Sequence, residues 1–332
     1  METRILGKDL EVSAIGLGCM GFSHAYGVPT ERKEAMELIH SAYELGYTLF
    51  DTAEVYGTAD DPHDNEILVG TALAPIRNQV KIISKFGIHF DMNSTQVNKF
   101  LVPDARPEAI RASVEGSLKR LKTDYIDLYF QHRIDPEVEP ESVAGVMADL
   151  IKEGKILHWG ISETNEKYLR RANAVCKVTA VENRYSMMAR HYESLFPVLE
   201  ELKVGLVAFS PMANGFLTGK YDKDAKFDPK LDYRSAMPQF KVEAMEKNQE
   251  LLNLLNEMAR SKASTPGQIC LAWMLCKKPY IVPIPGTRKL ERLKENAGAI
   301  EVKLSKIEVQ DLDKALNQLP MSEVFDGSKV TK

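Results

Sequence analysis

The sequence predicts an α/β fold, a closed (β/α)8 barrel, on three observations. Eight short apolar runs alternate with longer amphipathic stretches, each run is nearly continuously apolar, and no linker or composition break divides the series. Strands buried on both faces read this way, and repeated strand–helix units build a parallel sheet. Eight such units close on themselves, the first strand pairing with the last. A length of 332 residues allows either one barrel or two domains of ~150 residues. The unbroken alternation favours a single domain over residues 1–332.

Residues 4–6 and 10–12 flank Gly7-Lys8-Asp9 and read as a short hairpin capping the barrel bottom. Strands are expected at 12–18, 48–53, 80–86, 125–132, 156–163, 178–185, 204–211 and 280–286, with amphipathic helices between them at 31–45, 107–121, 141–152 and 193–202. Pro107 suits a first helical residue, and Gly46 and Gly154 suit helix stops. Two connections, 87–106 and 212–240, are too long for simple barrel loops. Their aromatic residues (Phe90, Phe100, Phe216, Tyr221, Phe227, Tyr233) argue for ordered lids. Residues 305–318 read as a further C-terminal surface helix capped by Ser305, followed by a polar end at 326–332.

Composition excludes several function classes. Lys and Arg total 43 against 47 Asp and Glu, a net charge of −4, which argues against a nucleic-acid partner. No stretch approaches the ~18 apolar residues of a membrane span, and the N-terminus lacks the basic-then-apolar run of a signal peptide. Cys19, Cys176, Cys270 and Cys276 form no C-x-x-C pair, so zinc and dithiol chemistry have little support and buried reduced thiols in the cytoplasm are expected.

Gly16-Leu17-Gly18-Cys19-Met20-Gly21 matches the dinucleotide fingerprint G-x-G-x-x-G. That fingerprint requires a helix opening directly at the turn. Residues 22–29, with Gly27 and Pro29, read instead as loop, so these glycines are expected to serve a tight strand exit. A stronger signal lies at the strand ends. Asp51, Lys85, His132, Ser162-Glu163, Glu182, Ser210 and Gly286-Thr287-Arg288 close seven successive strands. In a (β/α)8 barrel these ends share one mouth, the face that carries active sites.

Phe50-Asp51-Thr52-Ala53-Glu54-Val55-Tyr56-Gly57, Ser84-Lys85, Asp127-Leu128-Tyr129-Phe130-Gln131-His132, Trp159-Gly160-Ile161-Ser162, Ala208-Phe209-Ser210-Pro211 and Pro283-Ile284-Pro285-Gly286-Thr287-Arg288 follow one another along the chain. With these motifs the chain resembles the aldo-keto reductases. The resemblance runs in order from about residue 4 to 296 and implies a barrel that binds NADP(H) in extended form without a Rossmann fold. It also implies reduction of a small-molecule aldehyde or ketone, reversibly, with Tyr56 as proton donor. A free tyrosine near pKa ~10 donates poorly at neutral pH, and an ammonium beside it lowers that value. The resemblance gives that place to Lys85, held by Asp51, and gives His132 the task of orienting the carbonyl.

Cofactor contacts follow from the same resemblance. Met20 and Asp51 flank the nicotinamide side, Phe209 stacks on the ring, and Ser162 bonds the carboxamide. Glu163 stands where Asn is frequent and Glu182 where Gln is frequent. A carboxylate accepts from the amide NH2 but donates nothing to its oxygen unless protonated. Ser210, Pro211, Met212, Asn214 and Gly215 match the segment that clasps the pyrophosphate. Gly286, Thr287, Arg288, Arg292, Glu295 and Asn296 match the segment holding the adenosine and its 2′-phosphate. With glycine at 286, where many relatives carry lysine, that phosphate is left to arginine; otherwise Arg288 and Arg292 belong to a solvated helix face. The alternative function is a nicotinamide-sensing binding subunit with little turnover. Phe22, Tyr26, Phe86 and Phe90 either line a substrate pocket or pack the barrel.

Overall fold

The computed structural model describes residues 1–58, 60–95, 97 and 99–327. An antiparallel hairpin, β1 (Thr3–Leu6) and β2 (Leu10–Ser13), precedes the ring strands β3 (Leu17–Gly18), β4 (Leu49–Asp51) and β5 (Lys81–Phe86). A second small hairpin, β6 (Ile88–Phe90) and β7 (Leu101–Pro103), is followed by β8 (Ile126–Gln131), β9 (Ile156–Ser162), β10 (Ala180–Arg184), β11 (Gly205–Phe209) and β12 (Ile281–Pro283). The parallel sheet runs β3-β4-β5-β8-β9-β10-β11-β12. Helices α1 (Arg32–Glu44), α2 (Asp64–Leu73), α3 (Pro107–Leu121), α4 (Pro140–Lys152), α5 (Glu166–Val175) and α6 (Phe196–Leu202) surround it. So do α7 (Val242–Lys247), α8 (Gln249–Ser261), α9 (Pro266–Lys277), α10 (Leu290–Ala297) and α11 (Lys306–Gln318).

The ring meets itself between β3 and β12. The amides of Gly16 and Gly18 donate to the carbonyls of Pro283 (3.0 Å) and Pro285 (3.4 Å). Prolines return no amide, so the seam is bonded in one direction and is the weakest edge of the ring. Glycine is needed for the approach: a Cβ at 18 would lie 2.8 Å from the carbonyl oxygen of Ile284, and one at 16 would lie 2.9 Å from the Ile284 side chain. The G-x-G therefore serves strand-to-strand contact, and α1 opens only at Arg32.

Alternation along each strand separates two cores. Leu49, Ile83, Leu128, Phe130, Ala180, Val207, Val282 and Ile284 point inward and pack with Leu6, Leu10 and Val12 of the hairpin, which plugs the bottom. The residues between them, such as Phe50, Ile82, Tyr129, Val181 and Leu206, face the helices. Two residues beyond Leu49, Ile83 and Ala180, the inward positions are Asp51, Lys85 and Glu182. A polar layer thus lies on the apolar plug at the carboxyl mouth.

Several boundaries differ from the sequence reading for local reasons. The 12–18 run is shared: Val12 and Ser13 pair with β1, and only Leu17–Gly18 joins the ring. The 193–202 helix is split into a tight turn, His191–Leu195, and α6, because Pro197 in its first turn has no amide for the preceding carbonyls. Gly46 and Gly154 take φ of +89° and +74° and stop their helices as expected. Ser305 and Glu308 form a reciprocal cap on α11. The 87–106 connection contains the β6–β7 hairpin, and 212–240 contains three short 3-10 turns. Residues 328–332 of the polar end lie outside the described residues. Among the described residues no helix is long and apolar enough to cross a membrane.

The seam makes a stability prediction. Gly18→Ala should destabilise the fold by about 1–3 kcal/mol through overpacking, read as a Tm drop of several degrees. Gly145 in α4 has open space around its missing Cβ, so Gly145→Ala should hold or raise stability by about 0.4–1 kcal/mol.

Candidate active site

Lys85 is the centre of the polar layer. Its side chain is fully buried, so its ammonium needs partners. Nζ donates to Asp51 Oδ2 at 2.5 Å and to the Thr52 carbonyl at 3.0 Å, and Glu182 Oε1 lies 3.3 Å away. Burial opposes the charge, but the carboxylates of Asp51 and Glu182 outweigh it and raise the Lys85 pKa above the usual lysine value. Two carboxyls thus share one ammonium. Burial, then the neighbouring Asp51 charge, pushes the Glu182 carboxyl up to about 8.

Tyr56 packs directly on this cluster. Its ring centroid lies 4.9 Å from Lys85 Nζ, and its edge meets the His132 ring at 5.6 Å between centroids. Its backbone is fixed by a buried relay. Ser23 Oγ donates to the Tyr56 carbonyl (2.6 Å), Asn65 Nδ2 donates to Ser23 Oγ (2.6 Å), and Thr52 Oγ1 donates to Asn65 Oδ1 (2.6 Å). The sequence argument expects Lys85 to lower the phenol pKa. The net direction is upward, because burial outweighs Lys85 while Asp51 and Glu182 offset part of its charge. Tyr56 is therefore held as the neutral acid. His132 is held neutral by burial, with Arg133 adding to the effect, and its Nδ1 finds no partner among the described residues.

These groups open into one long cleft of about 520 Å³, within the usual range for a ligand pocket. Its wall includes Asp51, Tyr56 and His132, with Met20, Ser162, Glu182, Phe209, Ser210, Pro211, Met212, Asn214 and Gly215, and also Gly286, Thr287, Arg288, Arg292, Glu295 and Asn296. The structure thus gathers nearly all the residues singled out from the sequence. Lys85 lies behind Asp51 and Tyr56, outside the wall.

Glu163 does not join them. It stands at φ +51°, accepts the Arg184 amide (3.0 Å), and turns its second oxygen to the Arg184 guanidinium (3.3 Å) and the Tyr192 hydroxyl (3.2 Å). A carboxylate with three protein donors is committed to them, which corrects its expected place beside a carboxamide. Ser162 Oγ accepts from Arg133 at 3.3 Å. The Ser210–Gly215 segment holds Ser210, Ala213, Asn214 and Gly215 at positive φ, the strained backbone that gathers at ligand clamps. Arg288 donates to the carbonyls of Tyr26 (2.5 Å) and Val28 (2.8 Å), and Arg292 pairs with Glu295.

Sequence reasoning missed His24. It stacks on Tyr56 and Phe90 inside the cleft, its Nδ1 lies 2.7 Å from the Gly57 carbonyl, and burial pushes its pKa down to about 4. A histidine in the loop just past the first strand's mouth end was the available signal. Tyr26 and Phe90 line the cleft, whereas Phe22 and Phe86 are core. The walls near Tyr56 are otherwise apolar: Val55, Ile88, Leu101, Met237 and Phe325.

Comparison with known proteins agrees with this fold. The family model described as "Aldo/keto reductase family" matches residues 14–317. A probable aldo-keto reductase 1 of Glycine max is 37% identical over 322 residues, covering 96% of this chain and 89% of that protein. The glycerol dehydrogenase of Gluconobacter oxydans superposes with a TM-score of 0.84 at 26% identity, covering 98% of this chain and 97% of that one. The holo form of an aldo-keto reductase from Bacillus halodurans gives 0.77 at 26% identity, covering 98% of both chains. The chain belongs to the aldo/keto reductase family, whose members are oxidoreductases.

Proposed function

We propose that the protein is an NADP(H)-dependent reductase of aldehydes or ketones, with Tyr56 as the proton donor. The carrying observation is that Tyr56, packed against Lys85 and His132, lines the same cleft as Arg288 and Arg292. A nicotinamide cofactor fits the residues present: two buried polar atoms without partners among the described residues, Glu182 Oε2 and His132 Nδ1, belong to side chains that line the same cleft as Phe209. We place the protein in the cytoplasm, a reading supported by four free cysteines.

The residues then divide the work. The reduced nicotinamide, when bound, supplies the hydride to the carbonyl carbon. Tyr56 gives its hydroxyl proton to the developing alkoxide, and Lys85 stabilises the phenolate left behind. Asp51 keeps the ammonium in place. His132, uncharged, orients the carbonyl without competing for the proton. Phe209 offers a face for the ring, and Ser210, Pro211, Met212, Asn214 and Gly215 lie where a pyrophosphate is clasped. Arg288 and Arg292 supply the positive charge for a 2′-phosphate. A phosphate that takes Arg288 replaces the carbonyls of Tyr26 and Val28 as its acceptors. The apolar wall of Val55, Ile88, Phe90 and Leu101 supports an apolar carbonyl substrate.

Two outcomes are expected. Tyr56→Phe should lower kcat about 10²–10⁴-fold, the usual size of a general-acid contribution, while the NADPH Kd from fluorescence titration stays unchanged; full turnover would refute the acid role. Arg288→Ala should weaken NADPH about 10–100-fold, the loss of about 1.5–3 kcal/mol in charged hydrogen bonds, and leave NADH nearly untouched. Equal losses for both cofactors would remove the 2′-phosphate from Arg288. A panel of aromatic aldehydes, ketones, sugars and glycerol, followed by reduced-cofactor absorbance, tests the reaction itself. Binding of NADPH without turnover of any carbonyl would overturn the enzyme reading.

A further inference from the structure

The polar layer holds more acid than one lysine can neutralise. Asp51, Lys85 and Glu182 are buried together, with the ammonium 2.5 Å from one carboxyl and 3.3 Å from the other. Fully ionised, the three carry a net charge of −1 while almost wholly buried; the Arg133 guanidinium offsets this less than burial and the Asp51 charge oppose it, and a retained proton relieves the arrangement. Asp51 has the shorter contact with the ammonium, so the proton belongs to Glu182, a residue of the cleft wall whose buried Oε2 has no partner among the described residues. Other charged and titratable groups around Glu182 are Tyr56 after β4, and His132 and Arg133 after β8. Ser162 and Val207, its register partners on β9 and β11, carry no charge, and Glu163 is turned onto Arg184.

We propose that Glu182 exchanges a proton with solvent according to the charge on the nicotinamide ring, neutral beside the reduced form and ionised beside the cationic oxidised form. This rests on the cofactor reading above. The hydride leaves the ring as a two-electron carrier and reduces the carbonyl carbon, the proton on the new alcohol comes from Tyr56, and the ring becomes a cation. Tyr56 regains its proton from water, the ring cation then balances the net charge of the Asp51–Lys85–Glu182 cluster, and the Glu182 proton departs to water. No oxidant or extra reductant is needed. As the neutral acid, Glu182 also has the O–H donor that a carboxylate lacks. A full charge acting on Glu182 through an effective dielectric near 20 changes its proton affinity about 100-fold, or about two pKa units. Because the acid titrates near 8 without that cation, NADP+ affinity should rise with pH up to about that value and then level off.

The test is the ratio of the NADP+ and NADPH dissociation constants, which cancels the titration of the shared 2′-phosphate. For the unmodified protein, protein-fluorescence titrations should show the ratio falling by about 10–100-fold between pH 6 and 8.5, the equivalent of one proton released on NADP+ binding. In Glu182→Gln, which keeps the shape of the neutral acid, the ratio should be flat. Calorimetry of the unmodified protein in buffers of different ionisation enthalpy should register proton release with NADP+ and none with NADPH. A flat ratio in the unmodified protein, or an equal slope in Glu182→Gln, would overturn the proposal. Failure of either cofactor to bind at all would count against the cofactor reading instead.

Discussion

An ammonium with no access to water determines the shape of this barrel mouth. Burying a lone lysine charge costs far more than one domain's stability, so every element around Lys85 is constrained to answer it. Asp51 comes from β4, the Thr52 carbonyl from the turn behind it, and Glu182 from β10 across the ring. A flat sheet would set β5 and β10 apart, with β8 and β9 between them. Curling the sheet brings the two to one point. Removing one partner from such a cluster leaves an uncompensated buried charge, usually a loss of 3–5 kcal/mol. The arrangement is therefore better explained by the phenol it holds than by stability.

That constraint reaches the loops through Tyr56. The Ser23–Asn65–Thr52 relay ties the Tyr56 backbone to the first βα loop and to α2. The same first loop crosses the cleft to the long seventh loop. Tyr26 pairs with Asp232, Tyr233 donates its amide to the Ala25 carbonyl, and Asn214 donates to the Tyr26 hydroxyl. Arg288 reaches back to the Tyr26 carbonyl from the eighth strand's loop. Tyr56, the 210–215 segment and Arg288 are thus linked through one short stretch, residues 23–28. A ligand that displaces Arg288 from those carbonyls acts on the loop that also supports Tyr56.

The alternation that separates barrel plug from barrel mouth was legible in the sequence because its period is two and its polar positions fall at strand ends. Leu49 before Asp51, Ile83 before Lys85 and Ala180 before Glu182 are the same pattern three times. The seam was not legible. Gly16 and Gly18 resemble a phosphate loop in one dimension, and only the approach of Ile284 shows why side chains are absent there. The net direction of the Tyr56 pKa was not legible either: Lys85 lowers it as expected, but the motif says nothing about the burial and the two carboxylates that outweigh it. His24 escaped for a related reason: a loop histidine gains meaning only when its ring is found stacked on Tyr56.

Glu163 shows the limit of matching a residue to a position. As an acid at a strand end it looks equivalent to Glu182, yet its surroundings differ in sign. Glu182 lies beside a second carboxyl and a shared ammonium, whereas Glu163 faces the buried Arg184 guanidinium. Arg184 in turn holds Asp326 from the C-terminal segment at 2.5 Å and lies 5.6 Å from the Phe209 ring. Its charge is thus balanced by Glu163 and Asp326, so neither acid is free to bind a ligand cation or amide. A carboxylate already bonded to arginine serves to anchor the chain's end over the mouth. One left sharing a lysine retains a proton and can respond to what binds there. The two glutamates are the same side chain, and their roles are set by burial: each shares one cation with a second acid, but Asp326 is largely exposed to water whereas Asp51 is buried beside Glu182.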